Sequence, residues 1–283
     1  MDKRKIEENF FKLLMIFSTL TVLGSLAFIL LTILWKGIPA LSWEMVTQSP
    51  KGGYYIGKAG GVLNAILGSL ILGIGSTLLA IVLSLPIAFY LNLYLQKKSR
   101  LAVAIRFALD VLWGIPSIVY GAFGFTLMLW LKIPASLLAG MITIALLIFP
   151  IMTRGIDEVL KMISSELKEA TLALGSTRWE TATKVIFRQA LPGIITAVLL
   201  AFGRGISDAA AVLFTAGFTD SLPHSLWKPV ATLPLAVFFQ LGTPFAEVQA
   251  RGYAAALILT AMVLLLNILA RIIGSRFSRH IIK

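Results

Sequence analysis

The chain has 283 residues, of which 58% are hydrophobic and 13% charged, and its formal net charge is +12. A soluble domain carries roughly 25% charged residues, so this chain has too few to cover a water-soluble globule of its size. It contains no cysteine, which excludes disulfides, cysteine metal sites and thiol nucleophiles. The composition predicts a multi-pass protein of a cytoplasmic-type (inner or plasma) membrane.

The basic residues are scattered at the ends of apolar segments rather than gathered on one face. This distribution argues against nucleic-acid binding. With the N-terminus placed in the cytoplasm, the inner segments carry about three times as many Lys and Arg residues as the outer ones. We therefore expect both termini in the cytoplasm, with the first apolar segment retained as a helix rather than cleaved as a signal peptide.

The apolar residues fall into blocks that are long enough to cross a membrane, which takes roughly 20 residues per helix. In chain order these blocks are Leu13–Trp35, Gly61–Leu95, Leu101–Leu131, Ser136–Met152, Ile194–Phe218 and Tyr253–Ile273. The third contains the run Gly114-Ile115-Pro116, which predicts a broken or bent helix. The predicted fold class is all-α, with about six transmembrane helices in a single domain over residues 1–283.

Two outer loops are predicted, at residues 37–59 and 219–252. The second is rich in proline and contains an apolar piece, Ala231–Leu241, that we expect to be re-entrant. The first contains Gly52–Ala59, which nearly spells a phosphate-binding loop. Ala59 stands where magnesium binding requires Ser or Thr, so we expect no ATP binding at this loop and no ATP hydrolysis by this chain alone.

The largest segment on the cytoplasmic side runs from about residue 154 to residue 190. Within it, Ser164–Glu166 can start a helix and Gly175 can end it, before a second amphipathic run from Thr177 to Ala190. The pattern predicts a short helix, a tight turn and a second helix that leads into the membrane. Such a projection either docks into a groove on a soluble partner or is an ordinary solvated loop helix.

This segment resembles the coupling motif of permeases in ABC importers. Glu169, Ala170 and Gly175 match the motif in type and spacing, whereas Thr171 stands where a second Ala is usual and the Leu191-Pro192 pair comes one helical turn late. The resemblance implies the type I importer permease fold. It also implies that Glu169, Ala170 and Gly175 belong to a coupling helix that inserts into an ATPase subunit.

Further stretches resemble phosphate-importer permeases, most of all those of the PstA type, whose usual partner, the PstC type, has a similar core. They are Gly60–Leu70, Gly114–Gly121 and Ala201–Asp208 with Leu213–Gly217. The resemblance implies a non-catalytic subunit of an ATP-driven importer for inorganic phosphate. The implied partners are a second, homologous permease subunit, ATPase subunits that hold ATP and magnesium, and an extracytoplasmic phosphate-binding protein. No cofactor is expected in this chain.

Arg204 and Asp208 are the candidate pathway residues. A charge near the middle of a span costs at least about 2.5 kcal/mol, so Arg204 is not expected to face lipid. Asp208 lies one helical turn later and can pair with it. Either the two form an ion pair that only stabilises the bundle, or Arg204 binds an anion in transit and Asp208 is its counter-charge when the site is empty. The phosphate permeases carry Arg and Glu at these positions, so the acid here is shorter.

Two rival functions remain open. One is an importer permease of the same fold for another oxyanion, such as sulfate or molybdate, because a guanidinium pairs with any of them. The other is a secondary anion transporter or channel that uses Arg204 and Asp208 and needs no ATPase. Asp110 is expected to be solvated or bonded to backbone. His224 and His280 are too isolated from each other to predict a metal site.

Overall fold

The computed structural model describes residues 3–51, 60–95 and 99–278, and these ranges form a helical bundle. Residues 52–59, which include the near match to a phosphate-binding loop, lie outside the described residues, as does His280.

The helices follow one another with short connections. In chain order they are α1 (Lys3–Gly37), α2 (Trp43–Thr47), α3 (Leu63–Phe89), α4 (Arg100–Gly114), α5 (Ser117–Leu131), α6 (Leu137–Lys161), α7 (Ser165–Ala173), α8 (Arg178–Glu180), α9 (Phe187–Ile206), α10 (Leu233–Leu241) and α11 (Ala246–Ser278). A 3₁₀ turn, Ile38–Ala40, follows α1. Two π-helical segments extend the larger helices: Tyr90–Tyr94 continues α3, and Thr181–Ile186 joins α8 to α9.

The described residues contain 5 helices that are long and apolar enough to cross a membrane, or up to 6 if the bent pair of α4 and α5 counts as one span. That pair bends by 97°. Ile115, between the two helices, has extended backbone angles (φ −72°, ψ 130°), as expected for a residue that precedes proline. The prediction of about six spans, with the third one broken, agrees with this arrangement.

The predicted fifth span, Ile194–Phe218, is wrong at both ends. Its helix begins at Arg178, continues through the π segment and ends at Ile206. Residues 207–218 turn instead, with the N–H of Ala211 bonded to the side chain of Asp208 and Gly217 at φ +74°. Most of these residues are buried or partly buried in protein, and irregular backbone is tolerated at membrane depth under that condition.

The core lies between α3, α6 and α9. The buried face of α3 consists of small residues, with Asn64 and Leu72 as larger members; the small ones are Ala65, Gly68, Ser69, Gly73, Ser76, Thr77, Ala80, Ser84 and Ala88. Small side chains let neighbouring backbones approach closely. Gly68 is the tightest example, since a Cβ there would overlap the carbonyl oxygen of Ala231. Against this face α6 places Ile144, Ile148 and Met152, all fully buried.

A second cluster packs α10 between α3 and α11. Leu233, Leu235 and Ala236 of α10 are buried, and the N–H of Leu233 donates to Ser69 Oγ at 2.8 Å. This helix occupies nearly the stretch Ala231–Leu241 that the sequence marked as apolar within the loop 219–252. The loop is shorter than predicted, because α11 begins at Ala246.

The first helix stands largely apart from the bundle. It contacts α11 near its end, where Gly37 lies against the backbone of Tyr253 and Lys36 Nζ lies 4.9 Å from the centre of the Tyr253 ring. Its hydroxyl side chains donate to carbonyls one turn back, as Ser18 does to Leu14 at 2.9 Å. The exposed face of α1 is therefore apolar and satisfied in its hydrogen bonds, as a surface in lipid or against another membrane helix must be.

Candidate functional site

The structure brings Arg204 and Asp208 together. Arg204 Nη1 lies 3.1 Å from Asp208 Oδ2, and the two side chains are 48% and 3% exposed respectively. The other carboxylate oxygen of Asp208 accepts the N–H of Ala211 at 2.8 Å. Asp208 thus makes two interactions: one oxygen pairs with Arg204, and the other caps the turn that follows α9.

Arg204 faces away from the core of this chain. Leu200, Arg204 and Ser207 lie along one exposed stripe of the last turns of α9, and a Cβ on Gly203 would meet nothing within 4 Å. A guanidinium has five N–H donors, and the pair with Asp208 leaves several of them available. An arginine so placed in a span requires a polar cavity or another protein chain beside it.

The segment around Gly175 forms the predicted helix, turn and helix. Ser164 caps α7 through its Oγ, which accepts the N–H of Leu167 at 3.3 Å. Glu169 and Ala170 are exposed on α7. Gly175 has φ +86°, a conformation that favours glycine, and a Cβ there would meet nothing within 4 Å. All three predicted coupling residues therefore lie on a projecting, accessible surface.

Side-chain hydrogen bonds and a capping box link the Gly175 turn to the helix that follows it. Ser176 Oγ donates to the carbonyl of Thr171 at 2.6 Å and lies 3.0 Å from Thr181 Oγ1. Thr177 and Glu180 form a capping box at the start of α8. Helical backbone continues from α8 through the π segment into α9, so the turn and Arg204 lie at the two ends of one helical run. The projecting part begins only after Lys161, where α6 ends.

A buried carboxylate cluster at the end of α6 was not predicted from the sequence. The side chain of Asp157 is 0% exposed. Arg106 donates to both of its oxygens at 2.9 Å, Arg154 and Lys161 each lie 2.9 Å from Oδ2, and Asn92 donates to Oδ1 at 2.8 Å. One acid therefore connects the end of α3, α4 and α6.

Two further acids balance this cluster. Asp110 accepts from Arg154 Nε at 2.6 Å. Its side chain is 49% exposed, so it is solvated as expected, but the bond to Arg154 was not predicted. Glu158 lies 3.1 Å from Arg154 and 2.8 Å from Lys161. With three acids against three bases, the cluster has no excess positive charge for an anion. The spacing of Arg154, Asp157 and Lys161 on one helix face was the available signal, but these residues had been assigned to a cytoplasmic loop.

A family model described as "Binding-protein-dependent transport system inner membrane component" matches residues 80–283. The chain belongs to this family. Among relatives of this transport component is the "Phosphate transport system permease protein PstA" of Pasteurella multocida (strain Pm70), which is 36% identical over 247 residues, 87% of each chain. The protein of the same name from Yersinia pestis is 36% identical over 251 residues, 89% of this chain and 84% of the relative.

Solved structures agree with the fold of this family member. The MetNI methionine ABC transporter in an inward-facing conformation superimposes with a TM-score of 0.62 at 18% identity, over 76% of this chain and 95% of that chain. An amino acid ABC transporter with histidines gives a TM-score of 0.57 at 18% identity, over 76% and 92% of the two chains. The predicted fold class, an all-helical type I importer permease, is confirmed.

Proposed function

We propose that this chain is the transmembrane permease subunit of an ATP-driven importer for inorganic phosphate. The observation that carries the proposal is the 36% identity, over 87% of both chains, with a protein named as a phosphate transport permease. The presence of Arg204 in a span supports it, because a planar guanidinium can donate two parallel hydrogen bonds to a phosphate oxyanion.

The proposed orientation places both termini in the cytoplasm, and the excess of Lys and Arg in the inner segments supports it. The surface formed by Glu169, Ala170 and the Gly175 turn then faces the cytoplasm, where it engages an ATPase subunit that holds ATP and magnesium. Residues 219–252 face outward and meet a phosphate-binding protein. A second permease subunit covers the stripe of α9 that bears Arg204.

In this proposal Arg204 exchanges partners during transport. Its guanidinium pairs with Asp208 when the path is empty and donates to phosphate oxygens as the anion passes. ATP binding moves the Gly175 turn, and the movement reaches Arg204 through the continuous helix from α8 to α9. The free energy for switching access must come from a difference in ATP affinity between the two states of the assembly.

The test is uptake of radiolabelled phosphate into vesicles that contain this chain and its co-purifying partners. We expect uptake that requires ATP and persists in excess sulfate or molybdate. Loss of uptake to one of these competitors would keep the importer class and change the substrate. Uptake without an ATPase would favour the secondary transporter.

The variant Arg204→Gln tests the proposed path within the same assay. We expect it to abolish phosphate uptake and to leave the complex assembled, because Asp208 still caps its turn. Lys132→Gln, which removes a charge at the end of α5 outside the proposed path, is the matched control and should transport normally. Full uptake by Arg204→Gln would leave Arg204 as a member of a structural ion pair only.

A further inference from the structure

An apolar cavity of about 620 Å³ lies between the end of α3 and the start of the helix that leads into α9. Its volume falls in the range of roughly 300–1,000 Å³ that is typical of ligand pockets. Aromatic side chains line much of it, including Tyr90 and Tyr94 on one wall and Trp179 and Phe187 on the other. The cavity is distinct from the surface around Arg204, which lies at the opposite end of α9.

Both π-helical segments of the described chain border this cavity. Tyr90 and Tyr94 belong to the first segment, and Thr183 belongs to the second. π-Helical turns are rare and frequently occur at functional sites. The first segment places two aromatic rings in the cavity wall, where the rings of Tyr90 and Tyr94 stack with centroids 5.9 Å apart. Two departures from regular helix geometry therefore meet at the cavity wall.

The rim of the cavity carries an available positive charge. The Arg178 guanidinium lies 5.8 Å from the centre of the Tyr94 ring, and among the described residues no carboxylate pairs with it. The nearest acid along the chain, Glu180, is occupied by Lys184 at 3.0 Å and by the backbone of Thr177 at 3.1 Å. Beside Arg178, Trp179 is 68% exposed, and tryptophan favours the membrane–water interface.

From these features we infer that the cavity binds an anionic phospholipid of the cytoplasmic leaflet, with one acyl chain among the aromatic rings and the phosphate on Arg178. The inference rests on the orientation in the proposed function, which places the ends of α3 and α8 at the inner membrane surface. That surface carries anionic lipids that attract basic side chains. The bound lipid would hold the helix after the Gly175 turn against α3.

The test uses the assembled importer in phosphatidylcholine vesicles, with Trp179 as the only tryptophan after the other tryptophans are replaced by Phe. A minor fraction of the lipid is brominated, either as phosphatidylglycerol or as phosphatidylcholine. We expect brominated phosphatidylglycerol to quench Trp179 fluorescence several-fold more effectively. Arg178→Gln should remove this preference, whereas the control Arg188→Gln, an exposed charge farther along the same helix, should keep it. Thr183→Phe, which places a ring in the cavity wall and narrows the cavity, should weaken quenching by both lipids.

Equal quenching by the two lipids in the parent protein would mean that Trp179 contacts bulk bilayer lipid without selecting the anionic headgroup, and would overturn the inference. Absence of quenching would show that another subunit covers the cavity, which also overturns it, and so would unchanged quenching in Thr183→Phe. Native mass spectrometry of the importer with all its tryptophans gives an independent count, in which Arg178→Gln should retain one phosphatidylglycerol fewer. Neither measurement depends on phosphate uptake, so this inference and the proposed substrate fail separately.

Discussion

The Asp157 carboxylate accepts two hydrogen bonds from the Arg106 guanidinium, Nε to Oδ2 and Nη2 to Oδ1, each 2.9 Å long. This bidentate pair is a main attachment of α4, whose buried residues are only Ala102 and Leu109. It therefore holds the first half of the bent pair against α6. The pair lies one helical turn before Lys161, where α6 ends and the projecting segment begins.

Asp157→Asn should strongly destabilise the protein. The substitution leaves the partly buried Arg106, together with Arg154 and Lys161, facing a neutral amide, and breaking a buried ion pair costs about 3–5 kcal/mol. The measurement is the fraction of assembled complex that survives heating in detergent. Glu158→Gln is the control on the same helix, since the side chain of Glu158 is 58% exposed and exposed pairs contribute about 0–1 kcal/mol. A similar loss of heat-resistant complex in the two variants would show that the buried Asp157 pair contributes no more stability than the exposed Glu158 pair.

Gly175→Pro should uncouple ATP hydrolysis from transport without preventing membrane insertion. Proline fixes φ near −65°, whereas Gly175 has φ +86°, so the turn that presents Glu169 and Ala170 is lost. Gly175→Ala should have a weaker effect, because the surrounding space is open and the cost is backbone strain of about 1–2 kcal/mol. ATPase activity and phosphate uptake are measured on the same vesicles. Normal coupling in the proline variant would argue against the coupling role.

The ion pair of Asp208 with Arg204 and its hydrogen bond from Ala211 can be separated by substitution. Asp208→Asn removes the charge beside Arg204 but keeps an oxygen that accepts the N–H of Ala211. Asp208→Ala removes both, and a buried unpaired N–H costs about 1–3 kcal/mol. We expect the alanine variant to have a clearly lower melting temperature than the asparagine variant. Equal melting temperatures would mean that the cap on Ala211 does not stabilise the turn after α9.

Gly68→Ala should prevent correct packing of the core. Its Cβ would overlap the carbonyl oxygen of Ala231, and backbone cannot rotate away as a side chain can. Overpacking of a core typically costs about 1–3 kcal/mol. The cost here should lie at the upper end, because the backbone of Ala231 can shift less than a side chain to remove the overlap. The yield of assembled complex after detergent extraction is the measurement. Gly24→Ala is the matched control on α1, where a Cβ meets nothing within 4 Å, and it should leave the yield unchanged.

The sequence predicted those features of the fold that depend only on neighbouring residues. Gly175 and Ser164 act on their own neighbours, and the break before Pro116 is set by a single residue, so the turn, the cap and the bend could all be predicted. Hydropathy failed after Ile206, because residues buried in protein and residues in lipid are equally apolar. The pairing of Arg106 with Asp157 lies outside local patterns, since the two belong to different helices and meet only in the packed bundle.

The cluster around Asp157 constrains the order in which the chain is made. Asn92 follows α3, Arg106 lies in α4 and Asp157 lies in α6, so the arginine leaves the ribosome well before its carboxylate partner. An unpaired arginine within a membrane helix costs about 2.5–3.5 kcal/mol even on insertion scales. Until α6 arrives, α4 is therefore best placed at the membrane surface or against the insertion machinery. The segments from α3 to α6 should consequently settle into the bilayer as one late step rather than one helix at a time.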